Sequence, residues 1–111
     1  MIKSGGGKIV NFTTVAVPIN LEGEMIYASS KAAIEKMTKI MSKELAINNI
    51  QINAIGPTPI ETDLIKAIPL IKIQELLNKQ SIKKLGTYED VLNVINFLIS
   101  PLSNMITGQI I

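Results

Sequence analysis

Two short β-branched runs flank one long amphipathic stretch, and that order restricts the fold more than any other feature of the sequence. Lys8 to Val15 (KIVNFTTV) and Gln51 to Ile55 (QINAI) read as strands. Between them, Met25 to Ala46 reads as a helix. Ala33, Met37, Ile40, Met41 and Leu45 follow the helical spacing of a buried face. Asn48-Asn49 supplies stop chemistry, because Asn tolerates the left-handed conformation. Strands that alternate with helices imply parallel pairing through right-handed crossovers.

The rest of the chain continues the alternation. Gly5-Gly6-Gly7 reads as a flexible lead-in and Pro18 to Gly23 as a loop. Thr58 to Ser81 reads as loop plus a strongly apolar helix, carrying Leu64, Ile65, Ile68, Leu70, Ile71, Ile73, Leu76 and Leu77. Pro69 breaks that helix in two. Thr87 is a helix cap with Asp90 at the reciprocal position of a capping box. The following helix spans Tyr88 to Ile99, with Val91, Leu92, Val94, Ile95, Leu98 and Ile99 facing inward, and Ser100-Pro101 ends it. Thr107 to Ile111 reads as the start of a third strand. The expected architecture is α/β: three parallel strands with crossover helices in one domain, residues 1–111.

Composition narrows the chemistry. The chain has no Cys and no His, which excludes thiol nucleophiles, imidazole bases and the usual zinc ligands. Acid/base work falls to Tyr, Lys, Asp or Glu. The 11 basic residues are all Lys and read as scattered, which argues against a nucleic-acid groove. The net charge of +2 is read as no evidence for an anionic partner. The carboxylates are scattered, so no metal site is expected. No apolar run reaches the length of a membrane helix, and no signal-peptide segment is visible. The expectation is a soluble, cytoplasmic protein with neither a membrane nor a nucleic acid as partner.

Tyr27 and Lys31 lie four apart at the start of the first helix, on one face. An ammonium beside a phenol favours the phenolate, and a helix N-terminus adds partial positive charge there. A Tyr so placed can exchange a proton with a substrate hydroxyl. Thr14, at the end of the preceding strand, can put a hydroxyl beside the same substrate oxygen. A Tyr and a Lys at this spacing also occur often by chance.

The surrounding residues resemble the short-chain dehydrogenases/reductases. Tyr27-x-x-x-Lys31 followed by Ala32-Ala33 is similar to that family's active-site motif. Lys8 to Thr14 resembles its G-x-I-V-N-I-S-S strand, and Thr14 stands 13 residues before Tyr27, the family's usual Ser-to-Tyr separation. Ile52 to Pro57 resembles the V-N-x-I-x-P-G strand. Pro59 to Asp63 resembles the segment beside the nicotinamide end of the cofactor. Leu85 to Val91 and Ile106 to Ile111 resemble the late helix start and last strand. The closest subgroup is the 3-oxoacyl-carrier-protein-reductase-like set.

The resemblance implies hydride transfer between NAD or NADP and a carbonyl/alcohol substrate. Tyr27 would be the acid/base. Lys31 would favour its phenolate and bond the nicotinamide ribose. Thr14 would orient the substrate oxygen. Ile60 through its backbone, and Thr62 through its hydroxyl, would hold the carboxamide, and Pro57 would shape the loop over the nicotinamide. The stretch from Leu64 to Leu77 would be a substrate lid. A homo-oligomer is implied for the full-length form.

Three departures stand against this. Thr14 replaces the family's Ser, and Thr58 replaces the Gly after Pro57. The glycine-rich strand–turn–helix that cradles the pyrophosphate is absent, since Gly5-Gly6-Gly7 precedes a strand. The chain therefore reads as the C-terminal, catalytic half of a Rossmann-type doubly wound parallel sheet, a partial domain over residues 1–111, without turnover on its own. A non-catalytic binding or oligomerisation module, or a relic of such an enzyme, remains the alternative.

Overall fold

The structure, a computed structural model, describes the backbone of residues 1–111 and every side chain except that of Leu64. Strands β1 (Gly7–Phe12) and β2 (Ile50–Ile55) pair in parallel, with Gly7 opposite Ile50 and Phe12 opposite Ile55. Helix α1 (Met25–Glu44) connects them. The end of the chain adds a third extended segment on the far edge of β2. Ala54 N–H donates to the Gln109 carbonyl (2.8 Å), Ile111 N–H donates to that of Ala54 (3.0 Å), and Ala54 and Ile110 form a parallel bridge. β2 is thus central, and Ile50, Ile52, Asn53, Ala54 and Ile55 are buried, as expected where both faces of a strand are covered. The sequence starts a third strand at Thr107, but the pairing seen is an isolated bridge at Ile110. Gly108, at φ 74°, brings the chain in beside Ser42: a Cβ there would lie 2.6 Å from Ser42 Oγ, so only glycine meets both demands.

Helices α2 (Asp63–Lys66), α3 (Leu70–Lys79) and α4 (Tyr88–Ile99) follow. Pro69 caps α3 and separates it from α2, as its missing N–H requires. The helix stop after α1 also has its expected chemistry: a short 3-10 turn, Ala46–Asn48, ends at Asn49 with φ 56°. Some boundaries move. β1 starts at Gly7, so this glycine belongs to the strand and not to a loose lead-in, and Thr13, Thr14 and Val15 lie beyond the strand's end.

The sheet separates two helical layers. Successive strand side chains point to opposite faces. Asn11 Nδ2 donates to Thr38 Oγ1 of α1 (3.0 Å), while Lys8 Nζ donates to Ser103 Oγ just after α4 (2.8 Å). Asn11 and Lys8 are three apart in one regular strand, so α1 and α4 cover different faces. Both connections step the same way across the sheet, and they therefore have opposite hands. The expectation of uniformly right-handed crossovers fails here. The handedness rule concerns a strand returning through a compact crossover, whereas the connection from β2 carries α2 and α3 before α4 begins.

The expected buried face of α1 holds only at Met41 and Leu45, which are half-buried. Ala33, Met37 and Ile40 are exposed, whereas Thr38 and Ser42 are buried and Ile34, Glu35, Met41 and Leu45 half-buried. Thr38 and Glu35 meet polar partners on or beside β1, so a polar seam replaces the apolar stripe, which faces outward. On α4, Leu98 is buried and Val91, Val94 and Ile95 are half-buried, but Leu92 and Ile99 are exposed. A helix on one sheet face buries a stripe, and the six positions expected inward are more than that stripe holds.

The capping box at α4 is complete. Asp90 N–H donates to Thr87 Oγ1 (3.1 Å), and Thr87 N–H donates back to Asp90 Oδ2 (2.9 Å). The backbone N–H and then the hydroxyl of Thr87 hold the Asp90 carboxyl below its ordinary value of 3.8. A carboxyl depressed in the folded state stabilises fully above its unfolded value, and that contribution disappears as pH falls through the lowered folded value. Asp90→Asn should therefore lower the urea midpoint at neutral pH, and the difference from the parent should shrink on acidification below about pH 4. A difference independent of pH would show that the carboxylate's charge is not what caps α4.

Candidate functional site

The proposed catalytic residues gather at the carboxyl ends of β1 and β2, the edge where open α/β sheets bind ligands. Just past the end of β1, Thr13 keeps the alternation of Asn11 and points its side chain into the α1 seam. Thr13 is buried, and its hydroxyl donates to Glu35 Oε1 (2.7 Å) and lies 3.4 Å from the Lys31 carbonyl. Its N–H donates to the Ile55 carbonyl (2.8 Å). This one residue joins β1, β2 and α1 beside Lys31. Gly56 lets the strand ends approach: a Cβ there would sit 3.0 Å from Thr13 Cγ2 and 3.4 Å from the Thr14 backbone.

Lys31 Nζ donates to the Phe12 carbonyl (3.1 Å) and lies 5.9 Å from the Tyr27 ring centroid. The ammonium is thus over the face of the phenol ring, within cation–π range. That single bond leaves an ammonium with two further donors. Tyr27 lies in the first turn of α1 and is half exposed. Thr14 is half-buried, and its hydroxyl accepts from Ala16 N–H (3.3 Å), which leaves the hydroxyl proton available. Val15 N–H donates to the Pro57 carbonyl (3.4 Å), so Thr14 and Pro57 stand on adjacent segments. No hydrogen bond joins Thr14 to Tyr27 among the described residues.

Ile60 forms a parallel bridge with Gly86. Gly86 bonds to the neighbours of Ile60: its N–H donates to the Pro59 carbonyl (3.0 Å) and its carbonyl accepts from Glu61 N–H (3.3 Å). In such a bridge the N–H and carbonyl of Ile60 itself point to the other side. Thr62 is half-buried, and its carbonyl accepts from Ile65 N–H (3.1 Å). A hollow of about 190 Å³ has Pro57, Ile60, Val91 and Val94 in its walls, and neither Tyr27 nor Lys31 lines it. Of the apolar lid residues, Leu70 and Ile71 are exposed and Ile65 and Leu77 buried. The side chain of Leu64 lies outside the described residues.

The sequence reading missed Thr13 and Glu35. The signal was the adjacent hydroxyl pair Thr13-Thr14, of which only the second was read as functional. The strand's alternation puts the two side chains on opposite sides. Thr13→Val keeps the shape of the side chain but removes the donor, leaving the half-buried Glu35 carboxylate short of a partner. The expected loss is about 1–3 kcal/mol in chemical denaturation. An unchanged midpoint would show that the Thr13–Glu35 bond does not hold α1 to the strand end.

Among the described residues, no group of three or more His, Cys, Asp or Glu could hold a metal ion, and no helix is long and apolar enough to cross a membrane.

A family model described as enoyl-(acyl carrier protein) reductase matches residues 1–111. The 3-oxoacyl-[acyl-carrier-protein] reductase of Thermotoga maritima is 40% identical over 111 residues, which are all of this chain and 45% of that protein. A solved structure of a 7α-hydroxysteroid dehydrogenase, complexed with NADH and 7-oxo glycochenodeoxycholic acid, superposes with a TM-score of 0.90 at 35% identity. It is covered over 44% of its length, and this chain over 100%. A short-chain type dehydrogenase/reductase from Mycobacterium ulcerans gives a TM-score of 0.90 at 27% identity, with 99% of this chain and 41% of that one covered. The chain spans less than half the length of these relatives.

Proposed function

The chain belongs to the short-chain dehydrogenase/reductase family, and from that premise we propose that it is the catalytic part of an oxidoreductase moving hydride between a nicotinamide cofactor and a carbonyl/alcohol substrate. The observation that carries the reading is the placement of Lys31 Nζ between the Phe12 carbonyl and the Tyr27 ring, at the carboxyl edge of the sheet. Tyr27 gives a proton to the carbonyl oxygen in reduction and takes it back in oxidation. Lys31 supplies positive charge beside the phenol and has donors left for ribose hydroxyls. Thr14 Oγ1 donates to the substrate oxygen.

The residues present fit the nicotinamide end of a dinucleotide. A carboxamide needs one acceptor and one donor, and the outward N–H and carbonyl of Ile60, with the Thr62 hydroxyl, supply both kinds. Pro57 stands beside them. When bound, NAD or NADP supplies or accepts the hydride. The residues that would hold the adenosine end are not among these 111, so the active unit is the chain together with a dinucleotide-binding portion. Residues 1–111 then form one part of a larger domain in a soluble, cytoplasmic enzyme. The outward apolar residues Ile26, Ala33, Met37 and Ile40 of α1 support a homo-oligomer of that enzyme.

The test is a chimera in which this chain replaces the matched 45% of the Thermotoga maritima relative. It is assayed with NADH and NADPH against a 3-oxoacyl thioester and a 7-oxo bile acid. Cofactor-dependent turnover is expected in the chimera and not in the 111-residue chain alone. A folded chimera that binds cofactor and reduces neither carbonyl would contradict the enzyme reading and favour a non-catalytic module.

A further inference from the structure

Glu35 has no part in the proposed proton or hydride transfer, yet its half-buried carboxylate stands beside the site. Tyr27, Lys31 and Glu35 follow one another at intervals of four on α1, so they share one face, a turn apart. Glu35 Oε1 accepts from the hydroxyl of Thr13 at 2.7 Å.

The peptide unit that joins Phe12 to Thr13 is the strand-side seat of Lys31. Its carbonyl accepts from Lys31 Nζ (3.1 Å), and its N–H donates to the Ile55 carbonyl (2.8 Å). A peptide is planar, so the direction of its N–H sets that of its carbonyl. One such bond still lets the plane tilt about its own axis. The buried side chain of Thr13 supplies the second constraint. Its hydroxyl is bound to Glu35, and its methyl packs where a Cβ on Gly56 would come within 3.0 Å. On the helix side, the backbone of α1 fixes Glu35 relative to Lys31. A single hydrogen bond therefore joins the carbonyl that receives the ammonium to the helix turns that carry it. The other polar tie, Asn11 to Thr38 (3.0 Å), lies about two turns beyond Lys31 and holds the first turns of α1 less directly.

We infer that Glu35 is a positioning residue: by accepting the Thr13 hydroxyl, it keeps Lys31 at the Phe12 carbonyl and over the Tyr27 ring. The inference deepens the proposed function and rests on its reading of Lys31 as the charge beside the acid/base phenol. A hydroxyl bonded to a carboxylate is held more firmly than one bonded to a neutral acceptor, which suits a tie one turn from a reacting group. An amide at position 35 keeps an acceptor oxygen, whereas an alkyl side chain does not.

The first measurement needs no turnover. The 111-residue chain is acetylated with limiting acetic anhydride, and the rates at Lys31 and at the exposed Lys39 of the same helix are read by peptide mass mapping. Lys31, engaged at the Phe12 carbonyl, should react about three- to tenfold more slowly than Lys39. Glu35→Leu and Thr13→Val should each bring Lys31 close to the Lys39 rate and leave Lys39 itself unchanged. Glu35→Gln and Thr13→Ser, which keep acceptor and donor, should retain most of the protection. Circular dichroism checks each variant for folding, and if Glu35→Leu does not fold, Thr13→Val carries the same comparison. The second measurement uses the Thermotoga chimera. Glu35→Leu should lower kcat by about 10–10²-fold, with little change in KM for the carbonyl substrate. In a Lys31→Met background the same substitution should change the residual kcat by about twofold or less, because Lys31 is the group through which Glu35 acts. Equal protection of Lys31 in the parent and in both Glu35→Leu and Thr13→Val, or a loss of kcat undiminished by Lys31→Met, would overturn the inference. A parent chimera without turnover counts against the enzyme reading alone, and acetylation still decides whether Glu35 holds Lys31.

Discussion

Tyr27→Phe should lower turnover of the Thermotoga chimera by about 10²–10⁴-fold, the usual contribution of a positioned acid/base group. The substitution removes one oxygen from a half-exposed side chain in the first turn of α1. Among the described residues that oxygen makes no hydrogen bond that holds the fold, so stability should change little. Lys31 should remain over the ring, because a Phe face also attracts a cation. The account therefore predicts a split: kcat falls, while cofactor affinity stays near that of the parent chimera. If affinity fell in step with kcat, Tyr27 would be a binding residue. If kcat held, the proton would have another source.

The second large effect concerns stability. Leu98→Ala should destabilise the chain by about 2–5 kcal/mol in chemical denaturation. Leu98 is the buried anchor of α4, at 1% exposure. Its carbonyl accepts from Ser103 Oγ (2.7 Å), the hydroxyl to which Lys8 of β1 donates. Truncation thus opens a cavity where α4 meets its sheet face. Domains of this size hold only about 5–15 kcal/mol in all, so the variant should be close to unfolding at physiological temperature. Leu92→Ala on the same helix, at a residue 53% exposed, is the control and should shift stability by about 0.5 kcal/mol or less. Equal losses at both positions would mean that α4 does not pack by the face described.

What the sequence discloses is what short-range chemistry decides. Thr87 and Asp90 cap each other within one turn, so the start of α4 is visible in four letters. Asn49 adopts a left-handed conformation few residues accept, and Pro69 must interrupt any helix. The parallel pairing of β1 and β2 follows from the helix between them. The candidate site was read for a different reason: Tyr27, Lys31, Thr14, Pro57, Ile60 and Thr62 resemble a family pattern, which composition and periodicity could not have supplied.

The misreadings are long-range. Apolar periodicity assumes that a helix buries its greasiest stripe, but α1 places Glu35 and Thr38 inward because Thr13 and Asn11 offer them hydrogen bonds. Those partners are 22 and 27 residues apart in the chain, and no local pattern reveals them. The outward stripe of Met37 and Ile40 finds no cover within these residues and is the face that the proposed homo-oligomer would bury. The hand of the second crossover depends on which sheet face α4 chooses, and α4 itself is amphipathic on either face.

The central claim is that the cofactor's hydride reaches a substrate carbon at the Tyr27–Lys31 edge. Its most direct test is isotope transfer. The chimera is given NADH or NADPH carrying deuterium at the transferred position, together with the carbonyl compound it turns over, and the alcohol is examined by mass spectrometry. The account predicts deuterium bonded to the carbinol carbon, with label accumulation slowed in Tyr27→Phe in proportion to kcat. Alcohol formed without label, or no labelled alcohol where the intact Thermotoga maritima relative produces it under the same conditions, would contradict it.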